Sequence, residues 1–135
     1  EYIAGAILTI CFNKPVPVVD SNIARFINRF FGLNLKGEIR RKKEIVKFAK
    51  ELFNYNEPGR LVFAIVDFTS HICKPLKPYC NFCPLKLQCK FYKGSSPEKC
   101  KPSPKSPLVT SHTLKRLAEI PYATLGIFKK RNKSY

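Results

Sequence analysis

The sequence predicts a mainly α-helical protein in which the last core helix leads into a metal-binding loop. Two observations indicate this fold class. Apolar side chains recur at helical spacing in two amphipathic segments, and four cysteines lie within seventeen residues (CKPLKPYCNFCPLKLQC) directly after a third apolar segment. A chain of 135 residues is long enough for one domain, or for one domain with a tail.

The first element predicted is a helix over residues 1–12 (EYIAGAILTICF), which is apolar and rich in small side chains. We expect this helix to begin upstream of residue 1, because no capping side chain or turn precedes it. Cys11 lies in this apolar run, and we expect it to be a small core residue. The two prolines of NKPVPVVD then predict an extended connection.

The second predicted helix begins at Asp20 or Ser21, since either side chain can cap the free amides of a helix N-terminus. Arg25 and Arg29 lie off its apolar face, and Gly32 suits the position just beyond its end. The apolar face repeats at i, i+3, i+4 and i+7, which predicts a buried stripe of Ile23, Phe26, Ile27 and Phe30.

A third helix is predicted over residues 36–53, and a fourth over residues 60–72 (RLVFAIVDFTSHI). Asn-Glu-Pro-Gly at 56–59 breaks the chain between them. The fourth segment is apolar enough for a strand or a buried helix, and its length favours a helix. The predicted inner face of the third helix is Ile45, Val46, Ala49, Leu52 and Phe53. Its other faces are crowded with the basic residues Arg40, Arg41, Lys42, Lys43, Lys47 and Lys50.

Three parts of the chain are distinguished by composition. We expect a partial helical domain over 1–72, the cysteine loop over 73–93, and a mobile linker with a basic tail over 94–135. The last part begins with a Pro/Ser/Lys-rich stretch (GSSPEKCKPSPKSP) that cannot build a core, contains one weak amphipathic segment (SHTLKRLAEI), and ends in KKRNKSY. Cys100 lies here, and the sequence assigns it no role.

The charge of the chain is strongly positive. Twenty-five Lys and Arg residues against nine Asp and Glu residues give a formal net charge of +16, and the pI is near 9.8. This excess indicates a polyanionic partner, of which nucleic acid is the usual one. A merely basic protein and a membrane-surface binder are the alternatives. No apolar run approaches the roughly twenty residues of a spanning helix, which argues against a membrane role.

The cysteines Cys73, Cys80, Cys83 and Cys89 have the spacing x6, x2, x5 and form one compact set of thiol ligands. Two disulfides are one interpretation, but nothing in the sequence resembles a secretory signal, and we expect the reducing interior of a cell. Structural zinc sites usually bring two short pairs together across a longer gap. Because one continuous loop supplies all four thiols here, the spacing favours a 4Fe–4S cluster, with zinc as the alternative.

Several motifs together resemble a known family. YIAGAI, then VVDSNIARFINRFFG, then VDFTSHIC leading into C-x6-C-x2-C-x5-C is similar to the C-terminal half of the endonuclease III-type helix-hairpin-helix DNA glycosylases, over residues 1–93. The cysteine spacing matches the family's iron–sulfur loop without a gap, and VD-x-N followed by R-x3-R matches its catalytic turn and helix. The similarity is greatest to the A/G-specific adenine glycosylases and the archaeal G/T mismatch glycosylases.

This resemblance implies a base-excision repair enzyme. It would hydrolyse the N-glycosidic bond of a mispaired base (A, or T or U) opposite guanine or oxidised guanine, with the nucleotide rotated out of the duplex. The resemblance places Asp20 beside that bond, where a carboxylate stabilises the oxocarbenium-like sugar and orients the attacking water. Asp20 could instead act only as the helix N-cap, and the two roles are compatible.

Tyr2 bears on whether the enzyme also cleaves the DNA backbone. Bifunctional members of the family resemble this stretch but carry a lysine there, which forms a Schiff base with the sugar. A phenol cannot do so, and the nearest lysine in the sequence, Lys14, lies in the extended connection. The resemblance therefore implies a monofunctional glycosylase. Tyr2 could also be an ordinary packed aromatic residue at a helix edge.

The expected DNA contacts lie on the cysteine loop and the second helix. Family resemblance implies a mainly structural cluster whose loop presents Lys74, Lys77 and Lys86 to DNA phosphates, although these could be solvated surface charges. Arg25 and Arg29 are further candidates, or could pair with a carboxylate such as Asp67. The expected partner is double-stranded DNA bound by a monomer.

The resemblance covers only the second half of the family's fold. We expect a fragment of a longer enzyme or a truncated relative, inactive in isolation, because family members supply a mismatch-probing loop and a phosphate-gripping hairpin upstream. Two other functions remain open: a non-catalytic DNA-binding module with a four-cysteine metal loop, and a zinc-bound structural or interaction domain.

Overall fold

The computed structural model describes residues 2–94 and 100. The amphipathic segment and basic tail predicted from the sequence lie outside the described residues. All regular elements in the described part are helical, which confirms the mainly α prediction. They are α1 (Tyr2–Phe12), α2 (Ser21–Phe30), α3 (Lys43–Phe53), α4 (Pro58–His71), a 3₁₀ turn (Cys80–Phe82) and α5 (Lys90–Gly94).

Helix α2 lies at the centre of the fold. It contacts α3, α4 and α5, and α4 in turn contacts α1. The predicted apolar stripe of α2 is buried, and it packs with the inner faces of α3 and α4 into one core. Phe26 stacks on Phe30 and meets Phe68 of α4 edge to face. This packing fixes the orientation of α2, and hence the positions of the polar side chains at its N-terminus and on its outer face.

Both ends of α2 are closed by local interactions. At the N-terminus, the Asp20 carboxylate accepts a hydrogen bond from the amide of Ile23. At the C-terminus, Gly32 has φ +62, its amide donates to the Arg29 carbonyl, and the Leu33 amide donates to the Asn28 carbonyl. These two bonds form a Schellman motif, in which glycine takes the left-handed position most readily. The predicted limits of α2 are confirmed.

Helix α3 begins at Lys43, so the predicted start at residue 36 is wrong. Gly37 has φ +74, which is incompatible with a right-handed helix. The Glu38 side chain accepts hydrogen bonds from the backbone amide and the guanidinium of Arg40, and this closes a turn before the helix. Of the predicted inner face, Val46 is only partly buried, whereas Ile45, Ala49, Leu52 and Phe53 are buried.

Helix α4 begins two residues earlier than predicted, because Pro58 occupies the first turn, where its missing N–H costs no hydrogen bond. The break between α3 and α4 is therefore at residues 54–57. Gly59 allows α4 to approach α1 closely: a Cβ atom there would lie 2.9 Å from the carbonyl oxygen of Thr9. Thr9 is fully buried and donates a hydrogen bond to the Val16 carbonyl.

Helix α1 is apolar but largely exposed. Ile3 is 72% exposed and Phe12 is 64% exposed, and only Gly5 and Thr9 are buried. Cys11 is also exposed, so its prediction as a core residue is wrong. It lies on a face of α1 against which no other element of the described part packs closely. Across the part of the chain that the structure describes, we find no helix with the length and apolar character that a bilayer crossing requires.

Candidate active site and metal centre

An open groove lies at the N-terminus of α2, where α1, α2 and the turn before α3 come together. Asp20 and Tyr2 both line it, so the structure brings together these two side chains from separate parts of the sequence. Arg40 and Arg41 line the same groove from the α3 side. The other lining residues are Pro17, Val19, Ser21 and Val46.

The Asp20 carboxylate is held by two hydrogen bonds and remains partly exposed. Oδ1 accepts from the Ile23 amide at 2.7 Å, and Oδ2 accepts from the Asn22 side-chain amide at 3.2 Å. An ionised carboxylate offers about four lone-pair directions, so each oxygen retains one for a ligand in the groove. The helix N-terminus also favours a negative charge at this place.

A chain of hydrogen bonds runs from Asp20 to the cysteine loop. The Asn22 side-chain nitrogen donates to Asp20, and the Asn22 side-chain oxygen accepts from the Arg25 guanidinium at 3.1 Å. Arg25 Nε then donates to the backbone carbonyl of Cys73 at 3.1 Å, and a second nitrogen reaches the Thr69 carbonyl at 3.4 Å. The helix supplies this geometry, because residues 22 and 25 lie on one face three positions apart.

Arg29 holds the first arm of the cysteine loop. Its guanidinium donates to the carbonyls of Lys74 at 2.6 Å and Pro75 at 2.5 Å, and to the Cys73 sulfur at 3.5 Å. It also lies over the Phe91 ring, 5.1 Å from the centroid. Arg25 and Arg29 thus bond to loop carbonyls rather than to a carboxylate such as Asp67. Their predicted contact with DNA stays a prediction.

The four loop cysteines line a single cavity. Cys73, Cys80, Cys83 and Cys89 all contribute to its wall. Its remaining wall is largely apolar and includes Phe26, Phe30 and Phe68 of the core, Ile72, Leu85 and Phe91. Among the described residues, no group of three or more Cys, His, Asp or Glu side chains converges closely enough to hold a single metal ion.

Burial affects the thiols of the cavity. It raises the pKa of Cys80 well above its usual range, and a hydrogen bond with the Cys100 side chain adds to this effect. Burial also raises the pKa of Cys83 to about 12 and raises that of Cys89. Metal binding here releases protons, because cysteine binds metals as the thiolate.

The three loop lysines differ in their surroundings. Lys77 is exposed. Lys74 is partly buried and lies 5.6 Å from the centroid of the Tyr79 ring, and Lys86 donates to the Asn81 carbonyl at 3.2 Å. Two of the three predicted phosphate contacts thus also interact within the loop.

Sequence reasoning missed four residues at these sites. Arg40 and Arg41 join the groove through the turn after Gly37, which the prediction of a longer α3 concealed. Asn22 belongs to the quoted VD-x-N motif, and that motif was the available signal for its contact with Asp20. Cys100 reaches Cys80 from twenty residues away, and no local pattern indicates this contact.

Curated proteins similar to this chain are DNA glycosylases. An adenine DNA glycosylase of Arabidopsis thaliana is 32% identical over 93 residues, or 68% of this chain and 15% of the plant protein. A thymine/uracil-DNA glycosylase of Methanothermobacter thermautotrophicus is 30% identical over 100 residues, or 74% of this chain and 43% of that protein. An endonuclease III of Thermotoga maritima is 32% identical over 90 residues, or 67% of this chain and 40% of that protein.

The chain therefore spans less than half the length of these relatives. No family model matches it, and neither does any solved structure.

Proposed function

Because this chain belongs to the superfamily of endonuclease III-like helix-hairpin-helix DNA glycosylases, we propose that it acts in base excision repair. The proposed reaction is hydrolysis of the N-glycosidic bond of a mispaired base, A or else T or U, opposite guanine or oxidised guanine. The substrate is duplex DNA inside the cell, with the target nucleotide rotated out of the base stack.

The observation that carries this proposal is the position of Asp20 in an open groove, where one described hydrogen bond to each carboxylate oxygen leaves further acceptor capacity. Departure of the base leaves positive charge on the sugar. A fixed carboxylate beside the sugar stabilises that charge in the transition state, and a held group needs little reorganisation to do so. The same carboxylate can accept a proton from, or orient, the water that attacks the sugar.

Tyr2 and the other residues that line the groove support a monofunctional enzyme. A lyase step needs an amine that forms a Schiff base with the opened sugar. Among the described residues that line the groove there is no lysine, and the guanidinium groups of Arg40 and Arg41 do not form a Schiff base with the sugar. Tyr2 offers an aromatic face and a hydroxyl at the edge of this groove, which suits packing against a sugar or base.

The four cavity cysteines fit a 4Fe–4S cluster. The donor set is four thiols that line one largely apolar cavity, and four thiolates from one loop are a usual ligand set for such a cluster. Zinc, which four thiolates also bind, is the alternative. Cys73, Cys80, Cys83 and Cys89 would hold the cluster. Its main contribution would be structural, because it would cross-link a stretch of the loop before α5 in which the structure describes a short 3₁₀ turn as the regular element.

Arg25 and Arg29 are proposed to position the cysteine loop relative to Asp20. Their guanidinium groups bind loop carbonyls, which fixes the first arm of the loop against α2. With the loop fixed in this way, Lys74, Lys77 and Lys86 would present positive charge to the phosphate backbone of the DNA. Phosphate contacts of this kind provide affinity without reading sequence.

An excision panel tests the proposed function and identifies the base. The protein in its natural length is incubated with duplexes that carry A, T or U opposite guanine or 8-oxoguanine, and with matched duplexes that contain only Watson–Crick pairs. The expected product is an abasic site from at least one mispair and none from the matched duplexes. Release of no base from any of them contradicts the proposal.

A further inference from the structure

Among the residues that the structure describes, a group of exposed cations outside the cysteine loop lies on α3 and the turn before it. Residues 36–50 hold seven basic and two acidic side chains. Arg41, Lys43, Lys47 and Lys50 are exposed, and together they line a shallow groove with Val46 and Glu51. We call these four residues the α3 basic surface.

The α3 basic surface is continuous with the Asp20 groove. Arg41 and Val46 line both grooves, so the cationic track begins beside Asp20 and extends along α3. It shares no lining residue with the cysteine cavity. Arg40 lies at the junction, where its hydrogen bonds to Glu38 lower the pKa of that carboxyl to about 2. Glu38 and Arg40 are therefore both charged at neutral pH. The negative charge of Glu38 balances the positive charge of Arg40 and leaves the charges of the four surface residues in place.

The lysines of the α3 basic surface extend over a length comparable to a few nucleotides of one DNA strand. Lys43, Lys47 and Lys50 lie at i, i+4 and i+7, on one face of the helix, and span about 10 Å at a rise of about 1.5 Å per residue. One strand of B-DNA carries a phosphate about every 3.4 Å along the axis. Three lysines can therefore follow one strand over about three nucleotides.

We propose that the α3 basic surface binds the phosphate backbone of duplex DNA beside the nucleotide held at Asp20. This inference rests on the proposed function, since it takes duplex DNA as the substrate. It adds a second point of backbone contact, distinct from the cysteine loop. Two separated contacts would fix the duplex over the groove, where a single loop contact would leave it free to pivot.

The test is the salt dependence of binding to an undamaged duplex. In Lys43→Gln/Lys47→Gln/Lys50→Gln, the plot of log binding constant against log salt should become less steep by about 2.7, since each phosphate contact contributes about 0.9. The matched control is Lys14→Gln/Lys36→Gln/Arg60→Gln, which removes the same charge from exposed positions outside both the α3 basic surface and the cysteine loop. Its slope should change by less than about one contact's share.

The outcomes separate this inference from the proposed function. A wild-type slope in the α3 variant, or equal changes in the α3 variant and the control, overturns the inference. In either case, Asp20-dependent excision measured in parallel still supports the proposed function. A wild-type protein that does not bind duplex DNA contradicts both.

Discussion

Asp20 and Cys73 are joined by one continuous path of hydrogen bonds, although 53 positions separate them in the chain. The path runs through the Asn22 side chain and the Arg25 guanidinium to the backbone carbonyl of Cys73. The groove and the cysteine cavity are therefore parts of one polar network on the outer face of α2. We therefore expect a substitution within this path to affect both the position of the Asp20 carboxylate and the anchoring of the cysteine loop.

Removal of Asn22 tests this path. Asn22→Ala deletes the bond to Asp20 and leaves Arg25 without one of its partners. Misplacement of a catalytic group by about 1 Å can cost on the order of 100-fold in rate, so we expect the single-turnover excision rate to fall by about 10- to 100-fold. The matched control is Asn28→Ala, which also loses two side-chain hydrogen bonds, here to the backbone of Leu35. A similar rate loss in both variants would show a general loss of stability.

Substitution of one loop cysteine tests the identity of the metal centre. We expect protein purified without oxygen to be brown, with about four iron atoms per chain if the cluster is 4Fe–4S, and Cys83→Ser to lose most of this iron. Cys11→Ser is the matched control, because Cys11 is exposed on α1 and outside the cavity. A colourless wild-type protein with one zinc ion per chain would contradict the cluster.

Arg29 is expected to hold the cysteine loop through its planar guanidinium. Lysine keeps the charge but cannot donate to the carbonyls of Lys74 and Pro75 and to the Cys73 sulfur at once. Arg29→Lys should therefore destabilise the protein by about 1–3 kcal/mol, which corresponds to roughly 4–8 °C in Tm for each kcal/mol in a domain of this size. Calorimetry measures Tm, and faster iron release on dilution should accompany the shift. An unchanged Tm together with an unchanged rate of iron release would contradict this role for Arg29.

Gly59 sets the distance between α1 and α4. In Gly59→Ala the new Cβ would meet the Thr9 carbonyl oxygen at 2.9 Å, and both groups belong to helix backbones that cannot easily move. We expect a loss of about 1–3 kcal/mol from overpacking, despite the higher helix propensity of alanine. Gly94→Ala is the control, because a Cβ atom added at Gly94 would have no neighbour within 4 Å. Denaturant titration compares the two, and equal stabilities would contradict this contact.

Local patterns explain what could be predicted from the sequence. The cap at Asp20, the apolar stripe and the left-handed Gly32 all lie within fourteen residues, so α2 could be predicted at both ends. The family motif indicated Tyr2 and Asp20 separately, and that both line one groove depends on how α1 packs. The start of α3 was missed, since helix propensity in residues 36–42 is outweighed by the left-handed Gly37 and the turn closed by Glu38.

Contacts between distant residues could not be predicted in the same way. Arg25 and Arg29 resemble surface cations in the sequence, yet their partners are carbonyls more than forty positions away. Cys11 has an apolar setting in the chain but is exposed in the fold. Cys100 forms a hydrogen bond with Cys80, twenty positions away in the chain. Each of these arrangements depends on tertiary packing, which the local spacing of residues in the sequence does not indicate.

The most direct test of the account is the single-turnover rate of base excision by Asp20→Asn. Asparagine caps helices as well as aspartate does, so the fold should persist while the negative charge is lost. We expect the rate on the best mispair to fall by at least about 100-fold, as is typical when a group that stabilises the transition state is removed. Glu44→Gln, an equal change of charge on α3, should keep its rate. Full excision activity in Asp20→Asn would contradict the central claim.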